Sequence, residues 1–294
     1  MGSRIEIEAP AKVNLTLDVK GKRADGYHEL ETVMHQIDLV DRISIGVTDD
    51  AGTRIKLTSN SGDIPGDESN LAWRAAQIFL DRNHLRAGVE IFIEKNIPVG
   101  AGLAGGSTDA AAVIQGLNAL LGCRFEKKAL LEMAAFIGSD VPFCLLGGTA
   151  VARGRGEILE PLYMKGPLFM VLVKPDFGIS TAEVYQGLDL NNVAEWPDTT
   201  AFLKAWEKYD IINLSKNLAN VLESVSISKH PEIKTIKEML INEGAINALM
   251  SGSGPSVFGI FETVERAQNA AEIMKNNYRE VFLVSSYERR GDCY

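Results

Sequence analysis

The segment IPVGAGLAGGSTDAAAVIQGLNALLG, Ile97 to Gly122, constrains the fold more than any other part of the chain. Before it, GVEIFIE alternates apolar residues at the two-residue period of a strand. After it, Ala110, Val113, Ile114, Leu117, Leu120 and Leu121 recur at helical spacing, and Gly122 is a stop signal. The unit reads as strand, glycine loop, helix. Such a loop gathers bare backbone N–H groups and the positive end of a helix dipole at one spot, which makes a phosphate site. The competing reading is a glycine turn that serves packing alone. Ser107 and Thr108 at the start of the helix weigh against it.

Three kinds of loop share this pattern. Gly100, Gly102 and Gly105 spell the G-x-G-x-x-G of dinucleotide-binding folds. That motif requires a next strand with an acid about 20 residues on, whereas a second helical pattern begins here at Glu126. Gly100 to Ser107 also spell a P-loop, with Gly106 in place of the lysine that reaches the β- and γ-phosphates. Protein kinases have a similar glycine lid, and Asp176–Gly178 reads D-F-G. Neither an H-R-D loop nor a V-A-I-K strand accompanies it. The loop is thus a phosphate binder whose remaining chemistry comes from elsewhere in the chain.

Charge narrows the partners. The 294 residues carry 30 Lys and Arg against 39 Asp and Glu, a formal net charge of −9. Nucleic acid and anionic membranes attract basic surfaces, so neither is expected as a partner. Cys123, Cys144 and Cys293 are dispersed, odd in number and without metal-ligand spacing, and they read as reduced thiols. MGSRIEIEAP has no apolar signal core, and the longest purely apolar run, Leu168–Val173, is too short to span a bilayer. These features predict a cytoplasmic globular protein.

Val13, Leu15, Leu17 and Val19 alternate with Asn14, Thr16 and Asp18, which predicts a half-buried strand. RISIGV and TRIKLT read as strands, with DDAG as the turn between them. Ser69 is placed to cap a helix carrying Leu71, Ala72, Ala75, Ile78 and Phe79. A helix over Glu126–Ile137 and a strand at GGTAVAR follow. The second half opens with the buried-strand run LFMVLV. Helices are then predicted at Thr199–Tyr209, Asn213–Glu223, Pro231–Asn242 and Val264–Asn276, with strands at SVFGIF and EVFLVSS. The Pro and Gly around Glu160–Pro167 mark a boundary, and the pattern argues for α+β in two domains.

Three further stretches carry chemistry. APAKVNLTLDV sets Lys12 ahead of a strand, with Asn14 on its polar side; IGSDVPFCLLGG sets Asp140 beside Pro142; MSGSGPSVFGIF is a second glycine loop feeding a strand. The loop P-x-x-x-G-L-x-G-G-S-[ST] at Pro98–Thr108, the early Pro-Ala-Lys-x-Asn and the late Ser-Gly-Ser-Gly-Pro resemble the three motifs of the GHMP kinases. That family covers galacto-, homoserine, mevalonate and phosphomevalonate kinases. KRADGYHELETV, Lys22–Val33, resembles members whose small-molecule substrate carries a cytidine diphosphate group. The likeness covers nearly the whole chain, IGSDVPF and GISTAEVY included. Ala101 and Ala104 stand where some members have glycine, and Thr108 where many have serine.

The resemblance implies a ribosomal-protein-like α+β domain over 1–160 and a ferredoxin-like α/β sandwich over 161–294. ATP would lie along Pro98, Val99, Gly100, Ala101, Gly102, Leu103, Ala104, Gly105, Gly106, Ser107 and Thr108, with adenine near Asn70. Lys12 would stabilise developing negative charge, and Asp140 would take the proton of the attacking alcohol. His28 beside Tyr27 would bond the cytosine edge, and Tyr185 would stack on its face. Asn14, Thr181 and the loop Ser251, Gly252, Ser253 and Gly254 would contact substrate. ATP implies Mg²⁺, for which no carboxylate pair is evident; Ser107 or Thr108 would supply one oxygen. The rivals are another kinase of the family, such as a homoserine kinase, and a non-catalytic nucleotide-binding module.

Overall fold

The computed structural model describes residues 3–48, 54–122 and 125–288. Two long strands, β1 (Ser3–Lys22) and β2 (His28–Thr48), run antiparallel at its centre. The alternation in β1 is as predicted, but the strand is buried on both faces from Ala9 to Val19. Ala11, Val13 and Leu15 enter an apolar core. Lys12 and Asn14, on the opposite face, floor a deep cleft covered by other parts of the chain. The polar row is therefore buried in the cleft instead of facing open solvent.

The first sheet continues through β3 (Arg54–Ser59), β4 (Gly88–Glu94), β5 (Thr149–Gly154) and β6 (Ile158–Leu162). RISIGV is the second half of β2 and TRIKLT is β3, yet the two do not pair. β4 lies between them, antiparallel to β2 and parallel to β3. The DDAG stretch lies outside the described residues, as do Cys123 and Cys293; Cys144 is a buried free thiol. Helices α1 (Leu71–Arg82), α2 (Gly105–Leu120), α3 (Lys127–Ile137) and α4 (Val141–Leu146) cover this sheet. Their apolar faces share one core with Ile43, Ile45, Ile91 and Ile93. Asn70, not Ser69, caps α1: its side-chain oxygen accepts the Ala72 N–H, while Ser69 bonds Asp67.

The second half supplies β7 (Phe169–Lys174), α5 (Thr181–Gly187), α6 (Thr199–Lys208) and α7 (Ile211–Lys216). Then come β8 (Ala219–Asn220), α8 (Glu223–Lys229), α9 (Glu232–Asn242) and β9 (Asn247–Met250). β10 (Val257–Phe261), α10 (Val264–Met274) and β11 (Glu280–Ser285) complete it. Its four strands form an antiparallel sheet in the order β11-β7-β10-β9. The single helix predicted over Asn213–Glu223 is instead two helices interrupted by β8. There the chain leaves helical geometry to pair in parallel with Thr16 and Leu17 of β1.

LFMVLV is continuously apolar because both faces of β7 are covered. Met170 and Leu172 join Phe258 and Ile260 against the first sheet. Val171 and Val173 join Val257, Phe261 and the residues of α9 and α10 on the other side. The middle core therefore bonds the two sheets to each other.

One polar contact crosses that core. His35 on β2 is buried, with Nδ1 2.7 Å from the Thr149 hydroxyl and Nε2 2.9 Å from the Ser286 hydroxyl. Ser286 also accepts the Leu168 N–H at 2.8 Å. Burial pushes the His35 pKa down to about 4. Its ordinary value is about 6.5 in an unfolded chain. The neutral ring thus stabilises the fold fully above pH 6.5, and that contribution is lost as pH falls toward 4, up to about 3 kcal/mol. Denaturant melts of wild type and His35→Gln should converge as pH is lowered from 7 to 4.5. Parallel curves would show that His35 is not titrating on unfolding.

Candidate active site

The cleft floored by β1 has a volume of about 1200 Å³ and takes its walls from both halves of the chain. On one wall the loop from Pro98 to Ala104 runs into α2. Every residue from Pro98 to Ser107 lines the cleft. The N-cap of α2, Ala104, has φ 58° and no side chain that accepts a helix N–H, unlike the Asn70 cap of α1. A helix start leaves its first N–H groups without intrahelical partners. At α2 those donors are left for a bound anion. Thr108 is a correction: it is buried and turned from the cleft toward Cys144. Asn70 lines the cleft, but its amide is engaged with Ala72 N–H and the Pro65 carbonyl.

The second glycine loop locks onto the first. Ser251 Oγ donates to the Gly102 carbonyl at 3.0 Å. Gly102 has φ 76°, and a Cβ there would stand 2.2 Å from the Ser251 carbonyl oxygen, so only glycine permits this approach. Ser251 and Gly254 form the inner side of the loop and do not line the cleft, whereas Gly252 and Ser253 do. Asn220, missed in the sequence, donates to the carbonyls of Met250 and Gly252 at 2.9 and 2.7 Å. Ser226 Oγ holds the Ser253 carbonyl, and Thr181 shares a 2.8 Å hydroxyl bond with Ser253.

Lys12 stands where the loops meet. Its ammonium donates to Asn14 Oδ1 at 2.7 Å and to the Gly102 carbonyl at 3.3 Å, and lies 3.6 Å from Asp140 Oδ2. The lysine side chain is 5% exposed and the aspartate 38%, so the carboxylate is open to a ligand and the cation is fixed behind it. Asp140 owes its place to the turn into α4, where Pro142 enters the first helical turn.

Behind the phosphate-type loop is a charge cluster that sequence reading overlooks. Lys95 bridges Asp41 and Asp109, its Nζ 2.9 Å from Asp109 Oδ2, and all three are buried. Asp41 also accepts the N–H groups of Asn96 and Ile97, which anchors the entry to the loop. Asp109 Oδ1 is buried without a hydrogen-bond partner, and burial holds the Asp109 carboxyl above its ordinary range while the Lys95 charge opposes that rise. The available signal was a carboxylate set among the buried alanines of α2.

At the far end His28 and Tyr185 stack with ring centroids 5.0 Å apart and planes 29° apart. Burial, then the neighbouring Lys22 charge, lowers the His28 pKa. Tyr27 is half exposed, and the Arg155 guanidinium lies 4.9 Å from its ring centroid. Arg155, also missed, adds positive charge to a cleft whose aromatic end suits a flat base.

The arrangement has counterparts among known proteins. Residues 70–148 match the GHMP kinases N terminal domain, and residues 202–280 match the GHMP kinases C terminal domain. The chain is 61% identical over 287 residues to 4-diphosphocytidyl-2-C-methyl-D-erythritol kinase of Syntrophomonas wolfei, covering 98% of this chain and 100% of that one. It is 47% identical to the protein of the same name from Geobacillus thermodenitrificans, with 96% of each covered. A crystal structure of 4-(cytidine 5'-diphospho)-2C-methyl-D-erythritol kinase aligns with TM-score 0.81 and 34% identity over 97% of this chain and 100% of that one. Homoserine kinase from Cytophaga hutchinsonii shares the fold, with TM-score 0.77 at 21% identity over 97% and 94%. On these matches, the chain belongs to the GHMP kinase family.

Proposed function

We propose that this small-molecule kinase transfers the γ-phosphoryl group of ATP to the 2-hydroxyl of 4-diphosphocytidyl-2-C-methyl-D-erythritol, giving the 2-phosphate and ADP. The reading rests on one observation above all. The uncapped start of α2, the Lys12–Asp140 pair and the His28–Tyr185 pair converge on one cleft. The names of the full-length relatives support the substrate. A homoserine kinase would have no use for the aromatic end of the cleft. The reaction would serve isoprenoid precursor synthesis by the non-mevalonate route, in the cytoplasm. Among the described residues no helix is long and apolar enough to cross a membrane.

In this mechanism the first-turn N–H groups of α2 hold the ATP phosphates. Asp140 takes the proton of the 2-hydroxyl as its oxygen attacks the γ-phosphorus. The bond from that phosphorus to the bridging oxygen breaks, and ADP leaves with the electron pair. An alcohol is a poor nucleophile until deprotonated, and the transfer otherwise depends on positioning and charge neutralisation. The Lys12 ammonium neutralises charge that builds on the transferring group. His28 bonds the edge of the cytosine and Tyr185 covers its face, which orients the acceptor.

Mg²⁺ suits the residues present. Among the described residues no cluster of three or more His, Cys, Asp or Glu is placed to hold a metal. Mg²⁺ needs only one or two protein oxygens when phosphates and water supply the others. Ser107 on the cleft and the unpartnered Asp109 Oδ1 are the oxygens that would hold it. The ion would draw charge from the phosphates.

The glycine loop yields the first test. A Cβ at Gly106 meets only Leu71 Cδ1 at 3.7 Å, so Gly106→Val should fold while its methyls cover the phosphate donors. The Michaelis constant for ATP should rise about 10- to 100-fold, the loss of one or two charge-assisted bonds. Gly102→Ala should instead lower stability, by about 1–3 kcal/mol. Normal ATP binding by folded Gly106→Val would reject the phosphate assignment.

The second test addresses proton transfer. Asp140→Asn keeps the shape but cannot take a proton, so turnover should fall by roughly 10²–10⁴-fold with ATP affinity little changed. Lys12→Met should also lower turnover. The double variant should lose less than the two effects combined, because both groups act on one oxygen. Near-normal turnover by Asp140→Asn would mean that the proton leaves by another path.

A further inference from the structure

Between Asn14 and Thr16, β1 holds one residue more than β2: Asn14 faces Met34 while Thr16 faces Val33. A bulge of this kind breaks the ladder locally and re-aims side chains. Two threonine hydroxyls restore what the ladder loses. The Val33 N–H donates to Thr16 Oγ1 at 3.1 Å, and Thr32 Oγ1 donates to the Thr16 carbonyl.

That second bond has a consequence for the lysine. A hydroxyl has a single proton to donate, and a backbone carbonyl can only accept. Toward any other partner Thr32 is therefore an acceptor, and Asn14 Nδ2 donates to it at 2.8 Å. With its nitrogen held there, the Asn14 amide must present its oxygen to Lys12, which donates at 2.7 Å. Lys12, Asn14 and Thr32 are 4%, 3% and 2% exposed, so each is held chiefly by its protein partners.

We propose that Thr32 is a positioning residue for phosphoryl transfer: through the Asn14 amide it holds the Lys12 ammonium at the junction of Gly102 and Asp140. The proposal rests on the role assigned above to Lys12. Without the threonine acceptor the amide is free to turn over and present its N–H groups to an ammonium that only donates. The cation is then repelled from the spot where the γ-phosphoryl group passes.

The full chain with Thr32→Val, Thr32→Ser, Asn14→Leu and Lys12→Met variants tests this by steady-state kinetics. Thr32→Val should lower kcat about 10- to 100-fold, the penalty of a misplaced catalytic group. The KM for ATP should stay within about twofold, because the α2 donors are untouched. Thr32→Ser keeps the hydroxyl and should retain turnover within about threefold of wild type. Adding Thr32→Val to Asn14→Leu should cost almost nothing further, since a relay already cut cannot be cut again. A full additional loss on the Asn14→Leu background overturns the relay, and so does wild-type turnover by Thr32→Val. A loss in Thr32→Ser overturns it whatever becomes of the valine variant. If Lys12→Met keeps its turnover, the reading of Lys12 falls and the relay with it. If Lys12→Met is inactive while Thr32→Val is active, only the relay falls.

Discussion

The Lys12 ammonium is enclosed by oxygens drawn from three distant parts of the chain: Asn14 on β1, the Gly102 carbonyl and the Asp140 carboxylate. A buried cation is tolerated only when paired and hydrogen-bonded. Each part of the cleft can be understood as meeting that requirement. The bulge in β1 turns Asn14 toward the lysine, and the turn before α4 presents Asp140. The two glycine loops approach each other closely enough to bring a backbone carbonyl within reach. The strand that carries the lysine is polar on the face that floors the cleft.

Such a cage needs a rigid support, and the middle core supplies it. The face of β7 and β10 that carries Met170, Leu172, Phe258 and Ile260 packs on the apolar row of β1, directly beneath the polar row that lines the cleft. Asn220 and Ser226 fasten the second glycine loop from the side of β8 and α8. The loop is therefore held by the same half of the chain that delivers Tyr185 and Thr181 to the cleft. Lys12 and His28 line one cleft and share one frame. The Lys95 cluster plays a corresponding part behind α2, where it joins Asp41 on β2 to Asp109 beneath the loop.

The strand–loop–helix unit was legible because it is local: a two-residue period, glycines, then a helical stripe within about one supersecondary motif. LFMVLV read as buried for the same reason. What escaped was set by tertiary neighbours. β4 separates β2 from β3, and two residues of β8 interrupt an otherwise helical spacing because an edge of β1 is available to them. Thr108 was expected in the cleft beside Ser107, yet one residue turns a helix by about 100° and carries it to the buried side. Asn220, Arg155, Lys95 and Thr32 bear no local mark, since each acts on groups far away in sequence. The glycine loop, Lys12 and Asn14 were singled out by separated motifs and Asp140 by the IGSDVPF stretch, and all of them line the one cleft.

In this structure one cleft would bring ATP to a cytidine diphosphate substrate for phosphorylation of its 2-hydroxyl. Phosphorus-31 spectra of the purified protein with ATP, Mg²⁺ and 4-diphosphocytidyl-2-C-methyl-D-erythritol test it directly. The γ-phosphate signal of ATP should be replaced by ADP and one new phosphomonoester singlet, uncoupled because the 2-carbon carries no hydrogen, with the cytidine diphosphate signals retained. Unchanged ATP in that mixture, with ADP and a phosphomonoester formed when homoserine is supplied instead, would contradict it.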